Sequence, residues 1–134
     1  MEPGSNPLLT DLYQLNMIEA YLACGETKTA VFELFVRRLP ARRGFLMTAG
    51  LEQALKFLED LRFAAEEIAW LRDTSRFSAR TLAYLSDLRF RGDVHAMQEG
   101  TIFFANEPVL RVTAPLPEAQ LVEPFRANGF LDRR

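Results

Sequence analysis

The chain has 134 residues, 49% of them hydrophobic, with 16 Lys and Arg against 18 Asp and Glu and a net charge of −2. That is enough chain for one ordinary core, alone or as a piece of something larger, and the near balance of charge removes the basic footprint of a nucleic-acid partner. No apolar run approaches the roughly 20 residues that span a bilayer, and the opening MEPGSN lacks the charged and apolar regions of a signal peptide; with a single cysteine, Cys24, read as a buried thiol, the expected location is cytoplasmic with no membrane partner.

The first element is the run NPLLTDLYQLNMIEAYL, residues 6–22. At about 100° per residue it carries two apolar stripes, Leu8, Leu12, Leu15, Ile18 and Leu22 on one side and Leu9, Tyr13, Met17 and Tyr21 on the other. One stripe suffices for a helix in a small domain, so the second asks for another part of a longer chain or another subunit. Asn6 before Pro7 is one candidate cap; Thr10 is another, and it places Asp11 and Tyr13 in the first turn, where the helix dipole favours a carboxylate. Gly25 supplies the stop.

In TAVFELFVRR the period falls to two: Phe32, Leu34 and Val36 line one face, and Val31, Glu33, Phe35 and Arg37 the other. Pro40, Arg42, Arg43 and Gly44 form a basic loop. Helical spacing returns through Leu51, Leu55 and Leu58, widened by Ala54, Phe57 and Leu61, and two short helices follow over 66–72 and 79–88, the second capped by Ser78 with Phe77 placed to staple on Leu82. From Arg91 the chain reads as β: GDVHAM, a turn at Glu99 and Gly100, TIFF, a turn at ANEP, then VLRVTAP, in which Leu110, Val112 and Ala114 alternate with Val109, Arg111 and Thr113. A last helix over 116–125 contains Pro124 and is followed by Gly129, which predicts a short or kinked element. The sum is an α+β domain.

Chemistry is sparse in this pattern. There is no phosphate loop, no dinucleotide fingerprint and no metal-ligand spacing. His95, alone of its kind, lies in a predicted strand and reads as structural or solvent-facing; Glu99 beside Gly100 reads as a turn residue, and Arg42 and Arg43 as a solvated loop with an anion site as the alternative.

Five segments taken in order, LLTDLYQLNMIEAYL, AVFELFVRRLP, GFLMTAGLEQALKFLEDLRF, FSARTLAYLSDLRFRGDV and EGTIFFANEPVLRVTAPLPEAQLVE, closely resemble the N-terminal region of nicotinate phosphoribosyltransferases over residues 8–123. The resemblance implies the N-terminal domain of a type II phosphoribosyltransferase over residues 1–123, with helices packed on a small, mostly antiparallel sheet and the family's α/β barrel absent, followed by a divergent tail, 124–134. It also implies a role in forming nicotinate mononucleotide from nicotinate and phosphoribosyl pyrophosphate, with ATP and magnesium bound mainly outside this chain. In such enzymes the T-D-x-Y segment serves a site at the interface of a dimer, so Tyr13 is expected to stack on the pyridine ring and Asp11 to lie at the pocket edge. Two anions repel, so Asp11 suits capping the helix or orienting an arginine better than meeting the substrate's carboxylate. The phosphorylated histidine and the substrate arginines belong to the barrel, so no catalytic residue is assigned and the chain alone is expected to be inactive. It reads as a truncated or frameshifted product whose partner is a second copy or a separate barrel chain, the alternative being a noncatalytic remnant or dimerisation module. Gln98 departs from the family, where a proline commonly precedes the Glu-Gly pair, which leaves only that turn in question.

Overall fold

The structure, a computed structural model, describes residues 11–129, and 124–129 by their backbone alone. In chain order it contains α1 (Leu12–Cys24), β1 (Thr29–Leu34), β2 (Leu46–Met47), α2 (Leu51–Glu59), α3 (Ala65–Asp73), α4 (Ala79–Ser86), β3 (Asp93–Ala96), β4 (Ile102–Phe103), β5 (Leu110–Pro115) and α5 (Leu116–Gly129). The α+β expectation holds, with one strand that the sequence does not announce: β2 is two residues long and exists only by pairing with β4.

β5 is the middle strand of a three-stranded sheet, antiparallel to β1 and β3. Its period of two buries Leu110, Val112 and Ala114, and Phe32 and Val94 flank Val112 in register, so this rung is apolar right across the sheet. Arg111 lies on the opposite face and pairs with Glu33 at 2.7 Å. Val109, which alternation assigns to that outer face, is instead buried: regular pairing begins one residue later, and the Val109 N–H donates to the Leu34 carbonyl at 2.9 Å.

Against the inner face lies α5, with Ala119, Leu121 and Val122, and α1, with Leu15 and Ile18, packs on α5; Leu58, Leu61, Leu71, Leu82 and Leu85 from α2, α3, α4 and their connections continue the core. The last helix is neither short nor broken. It runs for 14 residues through Pro124, because contacts with α1, α2, β1 and β5 outweigh the local penalty of a proline.

Helix ends follow local chemistry where the signal is local. Gly25 takes a left-handed conformation at φ 69°, and the Glu26 N–H reaches back to the Tyr21 carbonyl at 2.8 Å, closing α1. Ser78 caps α4, its hydroxyl accepting from the Thr81 N–H at 3.2 Å. Glu19 of α1 reinforces that cap, accepting from the Ser78 N–H at 3.0 Å. The Thr81 hydroxyl above all, then the Ser78 donors and the Arg80 charge, hold the Glu19 carboxyl below its ordinary 4.5 against a partial loss of water. Cys24 is exposed at the end of α1 and not buried as expected.

Candidate functional site

α1 begins with Asp11 at the cap position in extended conformation, so Asp11 stands just before the first turn and not within it, and its side chain makes no capping bond. Asn6 and Thr10, the candidate caps, lie outside the described residues, as do Leu8 and Leu9. Tyr13 is in the first turn and is 53% exposed. Of the first stripe Leu15 and Ile18 are buried while Leu12 is exposed; of the second, Tyr13 and Met17 are exposed and Tyr21 is half-buried. The core thus takes one side of the helix, and the side that carries Tyr13 is left facing outward.

What fixes Tyr13 is polar and was missed in the sequence. Gln14, fully buried, donates through Nε2 to Glu123 Oε2 of α5 at 2.8 Å, and the Tyr13 hydroxyl lies 3.4 Å from the same oxygen. Behind them Gln120 Nε2 donates to Gln14 Oε1, and the Tyr21 hydroxyl donates to Gln120 Oε1 at 3.1 Å. Every donor in this chain points the same way, from Tyr21 through two amides to a carboxylate that only accepts, and each bond polarises the next. A sequence signal did exist: Gln14 and Tyr21 are seven apart and Gln120 and Glu123 three apart, each pair on one helical face, but nothing local links the two helices. The Tyr13 phenol is pushed above its ordinary 10.0, first by loss of water around it, then by the Glu123 charge and hydrogen bond, and last by the Asp11 charge. Among the described residues, Asp11 and Glu123 thus both raise the pKa of this phenol.

The other candidates fall elsewhere. Arg42 and Arg43 border an open cleft of about 380 Å³ lined also by Gly44, Phe45, Leu46, Met47 and Phe103, and neither Tyr13 nor Asp11 is part of it. His95 is exposed on β3 in register with Arg111. Glu99 is a structural residue: its carboxylate accepts from the Gly50 N–H at 2.9 Å and the Leu51 N–H at 3.2 Å, capping α2 from a distant turn. That turn forms with Gln98 in place, the Gln98 carbonyl accepting the Thr48 and Thr101 hydroxyls, both at 2.6 Å. Glu99→Ala is expected to lower stability by about 1–2 kcal/mol in urea unfolding, with Glu99→Gln between it and wild type; no change in Glu99→Ala would remove the capping role.

Among the described residues no three His, Cys, Asp or Glu side chains cluster as a metal ion requires, and no helix is long and apolar enough to cross a membrane. The described residues thus offer magnesium no three-ligand cluster of their own, and no step is derived through it.

The comparisons with known proteins agree on one family. Residues 8–125 match the nicotinate phosphoribosyltransferase (NAPRTase) N-terminal domain. The chain is similar to nicotinate phosphoribosyltransferase pncB2 of Mycobacterium tuberculosis, 47% identical over 121 residues that cover 90% of this chain and 26% of the relative. It is also similar to the nicotinate phosphoribosyltransferase of Bacillus subtilis, 46% identical over 122 residues covering 90% and 25%. The crystal structure of human nicotinic acid phosphoribosyltransferase superposes with a TM-score of 0.78 at 33% identity, over 86% of this chain and 24% of that one. The chain spans about a quarter of the length of these relatives. With the α+β architecture on the page and residues 8–125 matching the family's domain, the chain belongs to the nicotinate phosphoribosyltransferase N-terminal domain family.

Proposed function

We propose that this domain contributes Tyr13 to the nicotinate site of a nicotinate phosphoribosyltransferase whose barrel is supplied by other sequence, and that Asp11 lies at the edge of that site. The observation that carries the reading is the half-exposed Tyr13 ring at the head of α1, anchored from behind by a buried polar network yet uncovered in front. An aromatic ring so placed is matched to stacking on a flat pyridine, which contributes about 0.5–1.5 kcal/mol beyond area burial. On this reading the full reaction joins nicotinate to phosphoribosyl pyrophosphate with ATP hydrolysis in NAD salvage. ATP and magnesium bind mainly outside these residues, and the chain alone forms no nicotinate mononucleotide.

The test uses residues 1–123 fused to the remaining part of the Bacillus subtilis relative, with nicotinate affinity and melting temperature measured on the same proteins. Tyr13→Phe keeps the π face and should bind within a few fold of wild type. Tyr13→Ala should lose about 1–3 kcal/mol of affinity, the stacking and part of a buried aromatic's transfer energy. Affinity unchanged in Tyr13→Ala, with stability reduced, would return the residue to a packing role.

A second reading, a noncatalytic association module, draws on a different observation. Phe45, Met47, Ile102 and Phe104 are each more than half exposed on the outer face of the β2–β4 pair, opposite the inward Leu46 and Phe103. Both readings place a second copy or a separate barrel chain against this domain. The Tyr13 affinity series separates them, since for a module that only associates the Tyr13 substitutions leave the nicotinate affinity of the fusion unchanged.

A further inference from the structure

We propose that Glu123, braced by Gln14, is the positioning residue that aims the Tyr13 ring. The inference rests on the stacking role of Tyr13 for its functional meaning, though the geometry stands by itself. An exposed tyrosine in the first turn of a helix has free rotamers, and ordering such a side chain costs entropy that a ligand must otherwise supply. Here the ring's far end lies beside a carboxylate carried by a different helix, 110 residues away in sequence. That carboxylate is itself immobilised, since the fully buried Gln14 donates to the same Oε2 atom at 2.8 Å. The order of donors fixes the arrangement: Glu123 has no proton to give, so Gln14 must present its NH₂ to α5 and its oxygen to Gln120, and neither amide can turn round without setting two acceptors face to face. The 3.4 Å separation of the phenol from Oε2 is longer than a typical O–H···O bond of about 2.7 Å. Glu123 therefore acts on Tyr13 through charge and orientation more than through a tight bond. The charged groups bearing on the phenol are Glu123 and Asp11.

Tyrosine-ring NMR on the full chain tests the geometry, with Tyr13→Phe identifying the Tyr13 signal and Tyr84 as an internal reference outside the network. In Glu123→Gln and Glu123→Ala the Tyr13 phenol should titrate at lower pH than in wild type, because the neighbouring negative charge is gone. Through-space contacts from the ring to α5 should persist in Glu123→Gln, which keeps the acceptor, and vanish in Glu123→Ala. A Tyr13 titration unmoved by both substitutions overturns the proposal. In the fusion, Glu123→Ala should weaken nicotinate binding about two- to tenfold, the worth of ordering one rotamer-rich side chain, with Glu123→Gln, which keeps the orientation, restoring most of it. If Tyr13→Ala weakens binding and Glu123→Ala does not, positioning fails while stacking stands. If Tyr13→Ala is without effect but the titration moves as expected, stacking fails and the positioning geometry stands.

Discussion

Phe103→Ala is expected to remove about 3–5 kcal/mol of stability, a large fraction of the roughly 5–15 kcal/mol that a folded domain possesses. Phe103 is fully buried, sits opposite Leu46 in the short β2–β4 pair, and is among the largest side chains the core encloses. Its loss combines the transfer energy of a phenyl group with a cavity that two-residue strands have little freedom to collapse. Its neighbour supplies the control. Phe104 is 53% exposed on the outer face, and Phe104→Ala should change stability by no more than about 0.5 kcal/mol. Urea unfolding of the two variants beside wild type checks the pair, and equal losses would mean that the inward and outward assignments along β4 are wrong.

The second large effect is Gly92→Ala. A methyl group at Gly92 would stand 2.5 Å from the Thr113 carbonyl oxygen and 2.6 Å from the Ala114 Cβ, both on the central strand, and 2.8 Å from the rim of Phe90. The phenyl ring can turn aside, but the backbone of β5 cannot retreat without disturbing its pairing with β1 as well. The expected cost is about 1–3 kcal/mol or more, in the range of overpacked cores. Gly44→Ala, where nothing lies within 4 Å of the added carbon, should be close to neutral in the same thermal melts. If Gly92→Ala melts with wild type, β3 does not lie as close to β5 at its start as the structure has it.

Where the determinants are local, the sequence was legible. The Ser78 cap, the Gly25 stop and the inward set Leu110, Val112 and Ala114 all follow from patterns within a few residues. The failures are non-local in origin. β2 has too few residues to show a period and exists through its partner. Pro124 suggests a short or kinked helix because the packing that holds α5 at 14 residues comes from α1, α2, β1 and β5. At the candidate site, composition and spacing singled out Tyr13 only as a member of an apolar stripe, and the resemblance in TDLYQL gave it a role. Gln14 and Glu123 stayed silent, since their meaning lies in a hydrogen bond across 109 positions.

The strand order β1-β5-β3 bears on how the chain is made. The middle strand is the last of the three to leave the ribosome, so until residue 115 emerges β1 and β3 have no partner in the sheet. The two helices that frame Tyr13 meet later still, when α5 reaches back to α1. Synthesis must therefore carry β1 and β3 unpaired until β5 emerges and the three-stranded sheet can close, and contacts of such long range make closure slow. A nascent chain that stalls before β5 would expose strand edges and apolar helix faces together, which makes it a substrate for chaperones or proteases and not a smaller folded domain.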